Sequence, residues 1–476
     1  MTTRETGRDL EPRSDGDHGR DRIYYTDLPV ERRAAPARRR PPGDAPRGWL
    51  DERIGTRAFF LKYGRKAFPV HTTFFFGEMA LFSFVILVLT GIYLGLIYVP
   101  SNAEVDLGEG PLPQAFASAQ LIESIPVANL FRSVHHWCAH LMIASILLHT
   151  LRIFFTGTYR KPRELNWVIG VVLLGFTLVA SFVGYSLPYD SYAVTATGIG
   201  YGIARSIPLV GNIAADLFFG GLFPTLGSLP RLYTIHVFVM PLLIMGGMAA
   251  HLLLVIKQKH TQPGYARRLA EPGRVLGVPL WPYQALLAGQ LLLLMFGGLF
   301  VLSALVPIHP LDAYGPPGGA ASDVKPDWYL MWIYGFLKLI PSGLVLDLGP
   351  INIGPEFIGG VLFPGLIFGV LTLAPWLDRS NYRGKRFEYL EPPTQAPARL
   401  ASGVAVLVFV GAMFLAAYYD ELGIPLWAMW AIALVAPLAS AVLTYGFAWA
   451  RSSSQEHKFD PTASPEEPSL ASTAAD

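Results

Sequence analysis

Apolar residues gather into eight runs along the 476-residue chain, at about 72–98, 129–155, 166–187, 231–256, 282–306, 356–376, 400–418 and 426–449. Each run is near the ~20 residues a helix needs to cross a hydrocarbon core. Polar residues are pushed between and beyond them. The loop after the second run carries Arg160, Lys161 and Arg163. The loop after the fourth carries Lys257, Lys259, Arg267, Arg268 and Arg274, and the one after the sixth Arg379, Arg383, Lys385, Arg386 and Arg399. The loops 99–128 and 419–425 hold no Lys or Arg. By the positive-inside rule the basic loops and both termini face the cytoplasm. The pattern predicts an all-α membrane protein with eight transmembrane helices, in a bacterial cytoplasmic membrane.

The ends read differently. Residues 1–48 are rich in Arg, Asp and Pro, and 451–476 in Ser, Glu, Pro and Ala; both are expected to be disordered tails. In 49–69, Leu50, Ile54, Ala58 and Leu61 alternate with Arg53, Arg57 and Lys62, which suits an amphipathic helix on the membrane surface. The segments 188–230 and 307–355 are too long for turns. They contain apolar and aromatic strings such as Trp328-Tyr329-Leu330-Met331-Trp332, a sign of functional loops. Only 15% of residues are charged, against about 25% in soluble domains, which argues against a purely water-soluble protein. A net charge of +2 gives no argument for nucleic acid. The single cysteine, Cys138, rules out an intrachain disulfide framework, a cysteine zinc site and a four-cysteine iron–sulfur cluster.

Ionisable groups inside spanning helices are costly and mark function. The second run holds His135, His136, His140 and His149, and the fourth holds His236 and His251. At ~100° per residue, His135 and His149 point within about 40° of each other, and His236 and His251 within about 60°. His136 and His140 diverge from His149 by about 140° and 180° and are assigned to interhelical hydrogen bonding. Fourteen helical residues rise roughly 21 Å, so each helix offers one histidine near each side of the core. Two facing helices then make two stacked His–His pairs, each suited to the axial positions of a haem iron. Gly77 and Gly91 in the first run, and Gly170 and Gly184 in the third, repeat the same 14-residue spacing. A porphyrin edge against a helix calls for positions without Cβ. The expected core is a four-helix bundle over 70–260 holding two non-covalent b-type haems, followed by a C-terminal four-helix part over 261–450. Arg132 and Arg152 are placed for the anionic propionates.

The strings Arg132-Ser133-Val134-His135, Lys161-Pro162-Arg163-Glu164-Leu165, Gly184-Tyr185-Ser186-Leu187-Pro188 and Lys325-Pro326-Asp327-Trp328-Tyr329 together resemble cytochrome b of the quinol:cytochrome c oxidoreductase complexes. The similarity runs in matching order from about residue 49 to about 399, and eight spans are what the full-length form of that family has. The 15-residue gap between His236 and His251 is similar to the split photosynthetic-type branch. That branch carries a covalent c-type haem on a cysteine early in its first helix. Gly77 stands at the matching position here, so no covalent haem is expected.

The resemblance implies a quinol-oxidation site on the outer side, at the end of the third span, the loop helix after it and a Pro-Glu-Trp-Tyr motif. Here that motif reads Pro326-Asp327-Trp328-Tyr329. Aspartate is one methylene shorter than glutamate, which leaves room for a bridging water. For the inner quinone site, the stretch Trp281-Pro282-Tyr283-Gln284-Ala285 lacks the acid that family members often use; Lys257 and His260 are the polar candidates. The resemblance further implies bifurcated electron transfer. One electron goes to a Rieske iron–sulfur protein and a c-type cytochrome. The other crosses the haems to an inner quinone, with protons released outside and taken up inside, in a homodimeric complex. The competing reading is a di-haem membrane anchor that links a dehydrogenase to the quinone pool; it needs no outer loop motif.

Overall fold

The computed structural model describes residues 63–456, except 107, 109, 267–274, 309–310, 312–314, 318–323, 348, 350–351 and 380–386, together with 24–25, 51–53 and 55–56. The expected tails, 1–48 apart from Tyr24–Tyr25 and 457–476, lie outside the described residues.

Among these residues eight helices are long and apolar enough to cross a membrane. They are Thr72–Gly95, Pro126–Phe155, Glu164–Tyr185, Ser228–Gln258, Leu280–Leu305, Pro355–Leu377, Pro397–Ala416 and Leu426–Ser452, here the first to eighth spans. Each overlaps an apolar run of the sequence, and the chain has the all-α membrane architecture that the hydrophobic pattern predicts. In lipid every backbone N–H and C=O must be satisfied within the segment, which makes long apolar runs helical. The eighth helix continues to Glu456, five residues past the expected start of the tail, because nothing in Arg451-Ser452-Ser453-Ser454 breaks it.

Packing divides the chain into two compact units, one of Met1–Pro69 with Ala270–Gln284 and one of Val70–Leu269 with Ala285–Asp476. In the first, the amphipathic stretch is helical at 51–53 and at Thr56 but does not stay helical to 69. A turn at Gly64 and Arg65 leads into the strand Ala67–Phe68, which pairs antiparallel with Leu276–Pro279, Phe68 opposite Val278. Phe68 precedes Pro69, and a residue before proline is driven out of the α region.

In the second unit, the first four spans meet in a central apolar layer of Phe84, Met142 and Ile244, flanked by Leu173 and Phe176. The fifth span seats Leu299 against Ile86, Val134 and Cys138 of the first and second spans. The last three spans and the short helix Met331–Leu339 share their own core of Leu339, Phe363, Met413 and Met429. Lipid is as apolar as leucine, so this interdigitation, and not exclusion from water, holds the helices together. After the third span, Asp190 caps the helix Ser191–Arg205 by accepting the Ala193 N–H at 2.7 Å. The helix Gly211–Phe219 ends at Gly220, whose φ of 84° is the left-handed geometry glycine adopts without strain.

The basic loops are sewn together at one end. Arg160 pairs with Glu391 at 3.0 Å, while Arg399 pairs with Asp378 at 3.1 Å and with Glu391. Arg163 donates to the backbone carbonyls of Phe387 and Lys259. All three arginines are buried. Arg399 belongs to the first turn of the seventh span, not to the loop before it.

Candidate haem and quinol sites

The structure brings the four expected histidines together as two pairs. His135 faces His236 with ring centroids 6.2 Å apart and planes at 65°; His149 faces His251 at 6.4 Å and 68°. Two metal–nitrogen bonds of ~2 Å plus the depth of two imidazole rings span about 6 Å, which is the separation found. His236 sits on a π-helical turn, Ile235–Val239. A π turn takes in one residue more than an α turn. This absorbs the extra residue between His236 and His251 and brings the fourth span back into step with the 14-residue gap of the second.

Each of the four glycines lies against one of the four rings. A Cβ built on Gly91 would stand 3.3 Å from His135 Cε1, on Gly77 3.1 Å from His149 Cε1, on Gly170 3.5 Å from His251 Cε1, and on Gly184 2.5 Å from His236 Cε1. The glycine spacing matches the histidine spacing because the two sets are in contact. Behind His236, Nδ1 donates to the Ala180 carbonyl at 2.8 Å, leaving Nε2 for a metal. Behind His135, Nδ1 lies 2.8 Å from Thr90 Oγ1, whose own hydrogen goes to the Ile86 carbonyl. The Thr90 oxygen therefore accepts from His135, and Nε2 is again the free nitrogen. His149 Nδ1 is buried without a hydrogen-bond partner. Paired neutral imidazoles, glycine gaps beside them and a buried polar atom without a partner fit bis-histidine haem.

The two arginines differ. Arg132 is 3.6 Å from Glu123. Arg152 lies over the Phe74 ring, 4.4 Å from its centroid, and its Nε is buried without a partner. His136 and His140, expected to bond between helices, instead lie with their Nε2 atoms 3.1 Å apart within the second span. Lys257 falls in the last turn of the fourth span, and His260 in the loop beyond. The segment Trp281-Pro282-Tyr283-Gln284 belongs to the other compact unit.

Residues 326–329 dock where the third span ends. Ser181 Oγ donates to the Tyr329 hydroxyl at 2.7 Å, and that hydroxyl donates to Asp327 Oδ2 at 2.8 Å. The phenol thus occupies one oxygen of the Asp327 carboxylate. Burial, reinforced by the Asp327 carboxylate, pushes the Tyr329 phenol well above its usual range, so it stays protonated and donates. Tyr192, on the loop helix Ser191–Arg205, donates to the Lys325 carbonyl at 2.7 Å. Lys325 Nζ is 2.6 Å from Glu421 in the loop between the seventh and eighth spans. Trp328 Nε1 donates to His140 Nδ1 at 2.9 Å. The sequence had not singled out Thr90, Ser181 or Tyr192. A hydroxyl in an apolar helix most often bonds its own backbone, as Thr177 and Ser186 do here, so no periodicity separates the ones that reach across.

Residues 140–316 match the family profile described as cytochrome b (N-terminal)/b6/petB, and 317–429 the one described as cytochrome b (C-terminal)/b6/petD. The chain is 35% identical over 382 residues to a cytochrome bc1 complex cytochrome b subunit of Streptomyces coelicolor, covering 77% of this chain and 69% of the relative. It is 36% identical to the protein of that name from Corynebacterium diphtheriae over 76% of this chain and 68% of the relative. For Mycobacterium tuberculosis the values are 34%, 78% and 69%. A solved structure titled hyperthermophilic respiratory Complex III shares the fold, with a TM-score of 0.61 and 24% identity over 84% of this chain and 99% of that one. Eight spans, the resemblance carried by residues 326–329 and relatives matched over two thirds of their length converge on one conclusion: the chain belongs to the cytochrome b family.

Proposed function

We propose that this chain is the cytochrome b subunit of a respiratory quinol:cytochrome c oxidoreductase, and that it oxidises quinol beside Asp327. The observation that carries the reading is the hydrogen-bonded run Ser181–Tyr329–Asp327, which joins the third span to the motif at 326–329. A membrane anchor has no use for such a site.

His135 with His236, and His149 with His251, would hold two non-covalent b haems. Arg132 and Arg152 would meet their anionic side groups at the two ends of the bundle. When bound, the haems supply one-electron transfer along the bundle axis. The layer of Phe84, Met142 and Ile244 keeps water out between the two pairs. Asp327 takes a proton from a quinol hydroxyl. Tyr329, fixed by Ser181, holds the carboxylate in one orientation for that transfer. Of the two electrons released, one leaves to a Rieske iron–sulfur protein and a c-type cytochrome, since the lone Cys138 leaves both centres to other subunits. The second passes through the bundle to a quinone at the opposite face, and the cycle moves protons outward. The complex is a homodimer in the bacterial cytoplasmic membrane, with both termini and the basic loops inside. Gly77 packs on His149 and leaves no thiol for a covalent c-type haem.

The test is Asp327→Asn in the assembled complex, which keeps size and polarity but removes basicity. Quinol-driven reduction of cytochrome c should fall at least about tenfold with haem content intact, and Asp327→Glu should keep most of the activity. Full turnover with an unaltered pH profile in Asp327→Asn would remove the proton-acceptor role.

A further inference from the structure

His140 has no part in the chemistry described so far, yet both of its ring nitrogens are engaged. An indole N–H only donates, so the Trp328 bond at 2.9 Å requires an unprotonated Nδ1 on His140. The ring proton is then on Nε2, aimed at His136 Nε2 at 3.1 Å. His140 lies on the helix that carries His135 and His149, whereas Trp328 stands between Asp327 and Tyr329 in the loop motif. The His140 ring is also 5.9 Å from the Tyr329 ring, centroid to centroid.

Packing alone does not hold Trp328. It is 37% exposed, and with His140 it borders an open cleft of about 410 Å³ between Leu141 and Ala144 of the second span and Met295 and Leu299 of the fifth. With open space on one side of the indole, the directional bond to His140 selects its rotamer. The flanking backbone, and with it the reach of Asp327 and Tyr329, follows.

We infer that His140 is a positioning residue for quinol oxidation, which acts through Trp328 to hold the motif at 326–329 in register with the haem-ligand helix. This rests on the reading of Asp327 given above. Errors of about 1 Å in the placement of reacting groups cost up to a hundredfold in rate. In the assembled complex, His140→Leu should lower kcat about tenfold while changing KM little, because misplacing Asp327 slows the proton transfer without removing a contact to quinol. Haem stoichiometry should stay that of the parent. Trp328→Phe, which deletes the donor, should give the same loss, and the double variant should be no slower than either single one. His140→Asn, whose side-chain oxygen accepts near the place of Nδ1, should recover most of the rate.

A His140→Leu variant within twofold of the parent, or losses that multiply in the double variant, would overturn the inference. If His140→Leu fails to assemble, the decision moves to Trp328→Phe and His140→Asn: full rate in the first, or a loss in the second as deep as that in the first, has the same force. Asp327→Asn measured alongside keeps the two readings apart. Full rate there removes the quinol site itself, whereas a slow Asp327→Asn beside a fast His140→Leu removes only the role of His140.

Discussion

At the Arg132 end of the bundle both imidazoles are held from behind, His135 by Thr90 and His236 by the Ala180 carbonyl, each at 2.8 Å. At the Arg152 end, His149 Nδ1 is buried without a partner. The nearby cations differ in the opposite sense: Glu123 offsets the charge of Arg132 at 3.6 Å, while Arg152 rests on Phe74 with a bare Nε. One donor set, four neutral imidazoles, is thus given two surroundings. A hydrogen bond from Nδ1–H makes the imidazole a more basic ligand and favours oxidised iron; a cation not offset by a protein carboxylate favours the reduced form. If each pair holds a haem as proposed, both differences would give the Arg132 end the lower potential. With haems bound as proposed, electrons entering there would run downhill to the Arg152 end, and the asymmetry of the bundle would set the direction of transfer.

The largest effect that could break this comparison is loss of a whole haem. His135→Leu and His236→Leu should each remove the same low-potential component, and His149→Leu and His251→Leu the high-potential one. Each should leave about one haem per chain by pyridine haemochrome assay. Loss of the same component from His135→Leu and His149→Leu would contradict the pairing.

Next in size are the glycines. A Cβ on Gly184 would be 2.5 Å from His236 Cε1 and 3.0 Å from its Nδ1, so the ring must turn and give up Ala180. A Cβ on Gly170 would meet His251 at 3.5 Å, an ordinary contact. Overpacking costs about 1–3 kcal/mol, roughly a five- to 150-fold loss of affinity. Gly184→Ala should therefore strip the low-potential haem on dilution or mild detergent washing, while Gly170→Ala keeps both. Equal retention by the two variants would mean that the two ends are cradled alike.

The sequence carried the skeleton of this contrast but not its cause. Periodicity alone places His135, His149, His236 and His251 at two depths, and the matching steps from Gly77 to Gly91 and from Gly170 to Gly184 point to four close approaches. The 60° misfit between His236 and His251 could not be resolved from residue counts, because nothing in Ile235-His236-Val237-Phe238-Val239 announces a π turn. Thr90 and Ser181 escaped notice because a hydroxyl in an apolar helix has two destinations, its own backbone or a neighbouring helix, and only packing decides between them. Charge counting had a similar limit. Arg160, Arg163 and Arg399 counted as loop cations, but they are buried and bonded to Glu391, Asp378 and backbone carbonyls, so they brace the fold besides marking orientation.

The smallest effect isolates the hydrogen bond itself. Thr90→Val is nearly isosteric and removes the hydroxyl that accepts from His135 and donates to the Ile86 carbonyl, while the helix loses no backbone N–H···O=C bond. The His135 N–H would then be buried without its acceptor, a change of about 1 kcal/mol. Because that bond is stronger when iron is oxidised, losing it should raise the midpoint potential of the low-potential haem by on the order of 50 mV, near the 59 mV that corresponds to one decade for a single electron. The high-potential haem should not move, since no residue of the Arg152 end is altered, and haem content should stay that of the parent. A redox titration followed in the visible α band reads both components in one experiment. A shift of both haems would point to a change in bundle geometry, and no shift of either would mean that Thr90 fixes the ring of His135 without tuning its basicity, leaving the charges of Arg132 and Arg152 as the source of the asymmetry.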